Sequence, residues 1–166
     1  MKTAISLLLV GWVTFSFALE VPLQEQMPAS EQQQHVEQAF KTFSGCIMQK
    51  NIPCITELVS DSGVTLGVDA QKTAKQKIST ELSTDKSVRC FFWGQQCQRV
   101  RLQACSLLSY LRGPAKAPHF SKPYRYQNHW QTEVRLNTTA TTCSSEISII
   151  FQLEGGVWRI VAIPYT

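Results

Sequence analysis

Six cysteines are the residues of this chain most able to do chemistry: Cys46, Cys54, Cys90, Cys97, Cys105 and Cys143. A cysteine can act as nucleophile, metal ligand, redox partner or half of a cross-link, and spacing separates these roles. No Cys-x-x-Cys occurs and no Cys/His spacing fits a zinc site. None of the six sits in a Cys–His protease signature. An even set in an exported chain reads as structural disulfides. Asn51-Ile52-Pro53 breaks a helix between Cys46 and Cys54 and folds the chain back, so these two are expected to staple a pair of helices. On a continuous helix Cys97 and Cys105 would stand about 12 Å apart, at 1.5 Å per residue, beyond the roughly 7 Å a bridge spans. They should not pair unless Cys97 precedes the helix. The pairing of the remaining four stays open.

The three histidines, His35, His119 and His129, are the other titratable groups with catalytic potential. His35 falls on a helix and His119 in a proline-rich loop. His129 shares the polar face of a strand with Gln131, Glu133 and Arg135. Glu133 lies about 13 Å along that strand, at 3.3 Å per residue, so it forms no dyad with His129. A cross-strand carboxylate such as Glu146 would be needed for acid–base work. Nucleophile elbow, His-Glu-x-x-His and Gly-rich phosphate loop are all absent. No residue is assigned a catalytic role, and no metal or cofactor is implied.

The unusual feature is electrostatic. Between Asp85 and Glu133 there is no carboxylate, while Lys86, Arg89, Arg99, Arg101, Arg112, Lys116, Lys122 and Arg125 all fall there. The whole chain is only +4, so other segments offset this one. Such segregation steers anionic partners when it survives as a surface patch, and cancels when an acidic segment folds against it. Arg99, Arg101, Lys122, Arg125 and His129 are the expected ligand-binding residues. Tyr124, Tyr126 and Trp130 beside Arg125 offer an aromatic and basic surface, or else pack in the core.

The chain begins like an export signal. Lys2 precedes an apolar run from Ala4 to Phe15, and Ser16-Phe17-Ala18 supplies small residues for cleavage after Ala18. The run is shorter than the roughly 20 residues of a spanning helix. The expected organisation is a leader over 1–18, a tether over 19–29 and a single domain over 30–166. The product is expected to be periplasmic or secreted, with no membrane segment after cleavage. Asn137-Thr138-Thr139 is a glycosylation sequon that matters only in a eukaryotic source.

Helices and strands must position these groups. Ser30 and Gln33 suit a capping box, followed by Val36, Ala39, Phe40, Phe43 and Ile47 at helical spacing. Pro53 opens a second helix with Ile55, Leu58 and Val59 facing inward. Val64, Leu66 and Val68 alternate as a strand, and Ala74, Ile78 and Leu82 mark a third helix. Val88 to Trp93 reads as a strand. A helix is expected over 98–111, stopped by Gly113, with loop over 113–123. Trp130 to Leu136 alternates as a strand. Gly155-Gly156 joins the last two strands as a two-residue hairpin, pairing Leu153 with Trp158, Phe151 with Ile160, and Ile149 with Ala162. Gln152–Arg159 and Ile150–Val161 then share the other face.

The fold class is therefore α+β, with N-terminal helices on a curved antiparallel sheet, stapled by disulfides. The element order, Ile55-Thr56-Glu57-Leu58-Val59-Ser60 before the Val64 strand, and Gly156-Val157-Trp158-Arg159-Ile160 in the closing hairpin make the chain resemble the NTF2-like (SnoaL-like) superfamily. The resemblance implies a sheet wrapped as a cone around the helices. It does not imply a function, because that shape hosts enzymes and binding proteins alike. The expectation is a non-catalytic binding module with a basic face. Its partner would be an acidic protein or an anionic envelope component, not nucleic acid, in the manner of an inhibitor or immunity-type protein. The alternative is a small-molecule-binding or enzymatic domain that uses the cone pocket.

Overall fold

The computed structural model describes residues 29–67, 72–99, 104–113, 116–141 and 143–164. The expected leader, nearly all of the tether, Val68, Val100 and Arg101 lie outside the described residues.

Helix α1 (Ala29–Met48) buries the stripe expected of it: Val36, Phe40, Phe43 and Ile47. The capping box does not form. Ser30 already lies inside the helix, and the Gln33 amide donates instead to Glu37 at 3.4 Å. Gln32 falls on the same stripe, one turn before Val36, and is buried although polar. Helix α2 (Ile52–Leu58) starts at Asn51, whose side-chain oxygen accepts the Cys54 N–H at 3.1 Å. Pro53 sits in its first turn, where its missing N–H costs nothing. The reversal brings Cys46 and Cys54 into the expected bridge, with Cα atoms 5.8 Å apart.

After strands β1 (Val64–Leu66) and β2 (Lys72–Thr73) comes α3 (Lys75–Thr84), which buries Ile78 and Leu82. The segment expected as a strand at Val88 to Trp93 is a helix instead, α4 (Lys86–Trp93). Asp85 accepts the N–H groups of Ser87 and Val88, and Gly94 closes the other end in the left-handed conformation. Between those caps, Cys90 and Trp93 fall on one helical face. The Trp93 indole donates to the Ile47 carbonyl at 3.2 Å, tying α4 to the end of α1. Of the span expected as a helix at 98–111, Leu107–Arg112 forms α5, which the extended Ser106 caps through Ser109, while residues 100–103 lie outside the described residues.

Those breaks decide the remaining bridges. Cys97 lies just past α4 and joins Cys90, while Cys105 lies just before α5 and joins Cys143. The Tyr110 hydroxyl donates to the Ser144 carbonyl at 2.6 Å, one residue from that second bridge. Burial pushes the Tyr110 pKa up.

Strands β3 (His119–Phe120), β4 (Tyr124–Tyr126), β5 (His129–Asn137), β6 (Glu146–Glu154) and β7 (Val157–Ile163) complete the sheet. Its order among the described residues is β2-β1-β7-β6-β5-β3, with β4 also on β5. The sheet is mixed, since β1 runs parallel to β7. Strand β3 occupies part of the span expected as loop. The closing hairpin holds the expected pairs Leu153–Trp158, Gln152–Arg159 and Phe151–Ile160. Beyond Phe151 the register shifts, and Ile150 rather than Ile149 faces Ala162. Val161 is the extra residue of a bulge, so the expected Ile150–Val161 pair is absent. The bulge lets Ile160 and Ile163 both point into the core, which strict alternation would forbid. Val134, Leu136, Ile147, Ile149, Phe151, Leu153, Trp158, Ile160 and Ile163 close that core against α1.

Cross-linking stabilises mainly by restricting the unfolded chain, and longer loops are restricted more. The Cys105–Cys143 and Cys90–Cys97 bridges span 38 and 7 residues. Replacing both cysteines of the first pair with Ser should cost about 4 kcal/mol, and of the second about 2 kcal/mol, in urea unfolding. Equal losses would show that loop closure is not what these bridges contribute.

Candidate functional site

Strand alternation divides the sheet into two faces. Val134 and Leu136 point into the core, so His129, Gln131, Glu133 and Arg135 point outward. Tyr126 is paired with His129, and Tyr124 with Gln131, so both tyrosines share that outer face. Tyr124 is 40% and Tyr126 53% exposed. The opposite side of β4 carries Arg125, whose guanidinium carbon lies 5.2 Å from the centre of the Trp130 ring. Stacking on an indole holds the cation in one place while leaving it exposed. The residues anticipated as one aromatic and basic surface are therefore divided: Tyr124 and Tyr126 lie on the outer face, Arg125 and Trp130 on the other.

Lys122 is exposed at the kink between β3 and β4, where Ser121 keeps the chain on β5 by donating its N–H to the Glu133 carbonyl at 2.9 Å. Lys122, Arg125 and His129 thus gather on one edge hairpin. Arg99 is exposed in the segment after α4, and no described contact brings it to that hairpin. Arg101 lies outside the described residues. Register also rules out the His129–Glu146 dyad: Glu146 faces Asn137, at the far end of β5. His35 lies on α1, as expected, and is exposed there.

Beside the hairpin, an open cavity of about 480 Å³ is lined by Asp61, Ser62, Lys72, Gln127, His129, Gln152 and Glu154. A chain of hydrogen bonds builds its floor. Gln131 Nε2 donates to Gln152 Oε1 at 2.9 Å, and Gln152 Nε2 donates to Glu154 Oε1 at 2.9 Å. The same carboxylate oxygen accepts the Ser60 hydroxyl at 2.6 Å. Ser60 Oγ lies 2.8 Å from Ser62 Oγ, which accepts from Lys72 Nζ at 2.9 Å. One wall is the turn before β1. Gly63 ends it at φ +95°, and a Cβ there would stand 2.4 Å from the Thr73 carbonyl oxygen. Asp61 is ion-paired with Lys75 at 2.7 Å. The Lys75 hydrogen bond and charge hold its carboxyl below the ordinary carboxylate range. The other wall is the β4–β5 turn, where Gln127 and Asn128 both take positive φ, 46° and 68°. That is the two-residue form that matches strand twist.

None of this groove was named from the sequence except His129. Ser60 and Glu154 meet across 94 residues, and no local pattern records such a meeting. The one available signal was the Gly155-Gly156 turn, which places Glu154 at the sheet end.

Farther along the outer face, Glu133 accepts the Ser148 hydroxyl at 2.5 Å and Arg135 at 2.9 Å. Arg135 also faces Glu146 at 3.8 Å. Burial works to raise the Glu133 pKa. The hydrogen bonds from Arg135 and Ser148, with the charges of Arg135 and His119, outweigh it and hold the carboxyl below its ordinary value. A second cavity, of about 200 Å³, lies against the Cys90–Cys97 bridge and is lined also by Lys86, Ser87, Gln96 and Gln98. Among the described residues no group of three or more His, Cys, Asp or Glu converges as a metal site requires.

No protein-family model matches the chain, and no curated protein matches it. Two solved structures are similar to it in fold. One is a five-substitution variant of a protein designated Rd1NTF2_05, with TM-score 0.43 and 7% identity over 79% of this chain and 96% of that one. The other is an NTF2-like protein from Cytophaga hutchinsonii, with TM-score 0.44 and 12% identity over 83% of this chain and 97% of that one. No residue role is carried over from either.

A carboxyl whose folded pKa is depressed stabilises the fold above its unfolded pKa, and that contribution is lost as pH falls through the folded value. Glu133→Gln should therefore cost about 1 kcal/mol at neutral pH, while the variant and parent unfolding curves converge in acid, below the ordinary carboxylate range. Urea unfolding at neutral and at acid pH measures this. A gap that persists in acid would mean that the carboxylate charge is not what matters.

Proposed function

We propose that this chain is an exported, non-catalytic binding module whose β3–β4–β5 edge holds an anionic partner, an acidic protein or an anionic component of the envelope. The observation that carries this reading is the exposed Tyr124-Arg125-Tyr126 strand with Arg125 fixed over Trp130. A cation already ordered by stacking loses less freedom when it meets a carboxylate or phosphate. Lys122 adds a second positive charge at the adjoining kink. The segment around them has no carboxylate until Glu133, and Glu133 is engaged by Arg135 and Ser148. Lys122 and Pro123 also blunt the edge against strand addition, so contact is made through side chains rather than by extending the sheet. An inhibitor or immunity-type role is one form such a module takes. Export is supported by the signal-like start and the three disulfides. No helix among the described residues is long and apolar enough to cross a membrane.

A second reading, a small-molecule site on the concave face, has one observation in its favour. Trp158 faces Leu153 on the inner side of the sheet, and Trp130 stands one residue before the Gln131–Gln152 pair, so it flanks Leu153 from β5. The indole N–H groups of both tryptophans are buried with no hydrogen-bond acceptor, as is the Gln32 amide nitrogen. Buried donors of this kind ask for an acceptor. Neither cavity described above opens onto that face.

Retention of the oxidised protein on immobilised polyglutamate tests the first reading. Lys122→Glu with Arg125→Glu should move elution to much lower salt, whereas Arg99→Glu with Arg101→Glu should have a smaller effect. Unchanged elution of the hairpin variant would overturn the proposal. For the second reading, a ligand seated beside Trp130 and Trp158 should change the tryptophan emission of the parent and leave that of a Trp158→Phe variant less affected.

A further inference from the structure

The groove of Asp61, Ser62, Lys72, Gln127, His129, Gln152 and Glu154 is a different place from the cationic edge, and its chemistry differs. We propose that it is a saccharide-binding site for a neutral sugar of one or two rings, with Tyr126 as the platform at its rim.

Charge argues first. Two carboxylates, Asp61 and Glu154, stand among three cations: Lys72 lines the groove, Lys75 is ion-paired with Asp61, and the charge of Arg159 reaches Asp61, so charges of both signs meet there. An anionic ligand gains nothing here that it would not gain better at Lys122 and Arg125. A neutral ligand rich in hydroxyls is the class that suits a polar groove of mixed charge.

Hydrogen bonding argues next. A sugar hydroxyl both donates and accepts, so it is best met by partners of both kinds placed close together. The floor offers this in fixed form: Gln152 is held on one side by Gln131 and on the other by Glu154, and Glu154 by Ser60. Its amides and carboxylate cannot swing away, so little ordering cost remains for binding. The walls supply capacity not yet used. Neither the His129 ring nor the Gln127 amide makes a side-chain hydrogen bond among the described residues, and both line the cavity. Lys72 spends one of its three donors on Ser62.

Aromatic chemistry completes the case. Tyr126 is paired with His129 on the outer face and is 53% exposed. One face of a pyranose ring is a sheet of C–H bonds with slight positive charge, and the face of an aromatic ring is slightly negative. A sugar stacked on Tyr126 would therefore turn its equatorial hydroxyls toward His129, Gln152 and Glu154. The volume of about 480 Å³ falls within the roughly 300–1,000 Å³ of small-molecule sites.

The test is a protein-observed NMR titration of the oxidised chain with cellobiose, maltose and N,N′-diacetylchitobiose. At least one sugar should shift the amides of Gln127, His129 and Gln152. Tyr126→Ala and His129→Ala, both at exposed positions, should each weaken that binding about tenfold, a difference of about 1.4 kcal/mol, with unfolding midpoints unchanged. The Lys122→Glu and Arg125→Glu variant should bind the same sugar as the parent does, which separates this site from the anionic one. Absence of shifts with all three sugars at millimolar concentration would overturn the proposal. So would shifts confined to residues outside the groove, or unaltered affinity in both alanine variants.

Discussion

Everything in this molecule hangs on the seating of β7 beside β6. The Gly155-Gly156 turn, with both glycines at positive φ, sets which residues of the two strands face each other. From that ladder the rest is attached on both sides. On one side the Ser60 N–H donates to the Ile160 carbonyl, Val59 bridges Ile160, and β1 runs parallel to the end of β7. On the other, β6 carries the long antiparallel pairing with β5. A slip of one residue would exchange the faces of Phe151, Leu153, Trp158 and Ile160 and empty the core. It would also lift Glu154 away from Ser60, so the groove would lose its floor together with the fold.

This dependence explains how one hairpin serves two surfaces. Strand β5 receives its position from β6 and passes it to β3 and β4, whose short pairings have little strength of their own. Alternation then sends Tyr126, His129 and Gln131 to one side and Arg125 and Trp130 to the other. The outer side meets the turn before β1 and becomes a polar groove. The inner side presents an ordered cation at the rim. The two proposed sites can therefore share three consecutive residues, because successive side chains of a strand diverge.

What was legible in the sequence was local. The buried stripe of α1, the Pro53 break with its Cys46–Cys54 staple, and the register of the hairpin near Gly155 all follow from periodicity or from a turn with a known geometry. Val88 to Trp93 was misread because a short apolar run has no decisive period. The caps Asp85 and Gly94 at its ends were the better signal, and they state a helix. Strict alternation failed at Val161 because a bulge adds one residue without any mark in composition. The other two bridges became clear only once α4 and α5 were seen to end and begin between cysteines. The groove joins residues 60–62 to 127–154, and nothing in either stretch foretells the other. The basic span is visible at once, yet among its described residues Lys122 and Arg125 are the ones that share the hairpin with His129.

The Cys105–Cys143 bond has a consequence for proteolysis. It encloses β3, β4 and β5 together with the exposed Lys116 and Lys122, the kind of site that a protease finds first. A cut anywhere within that enclosure leaves the two pieces in one molecule. The ladder between β5 and β6 is still held on one side, and the severed ends stay near enough to remain in place. The nicked protein would run as a single band until a reductant is added, and would keep its surfaces in the meantime.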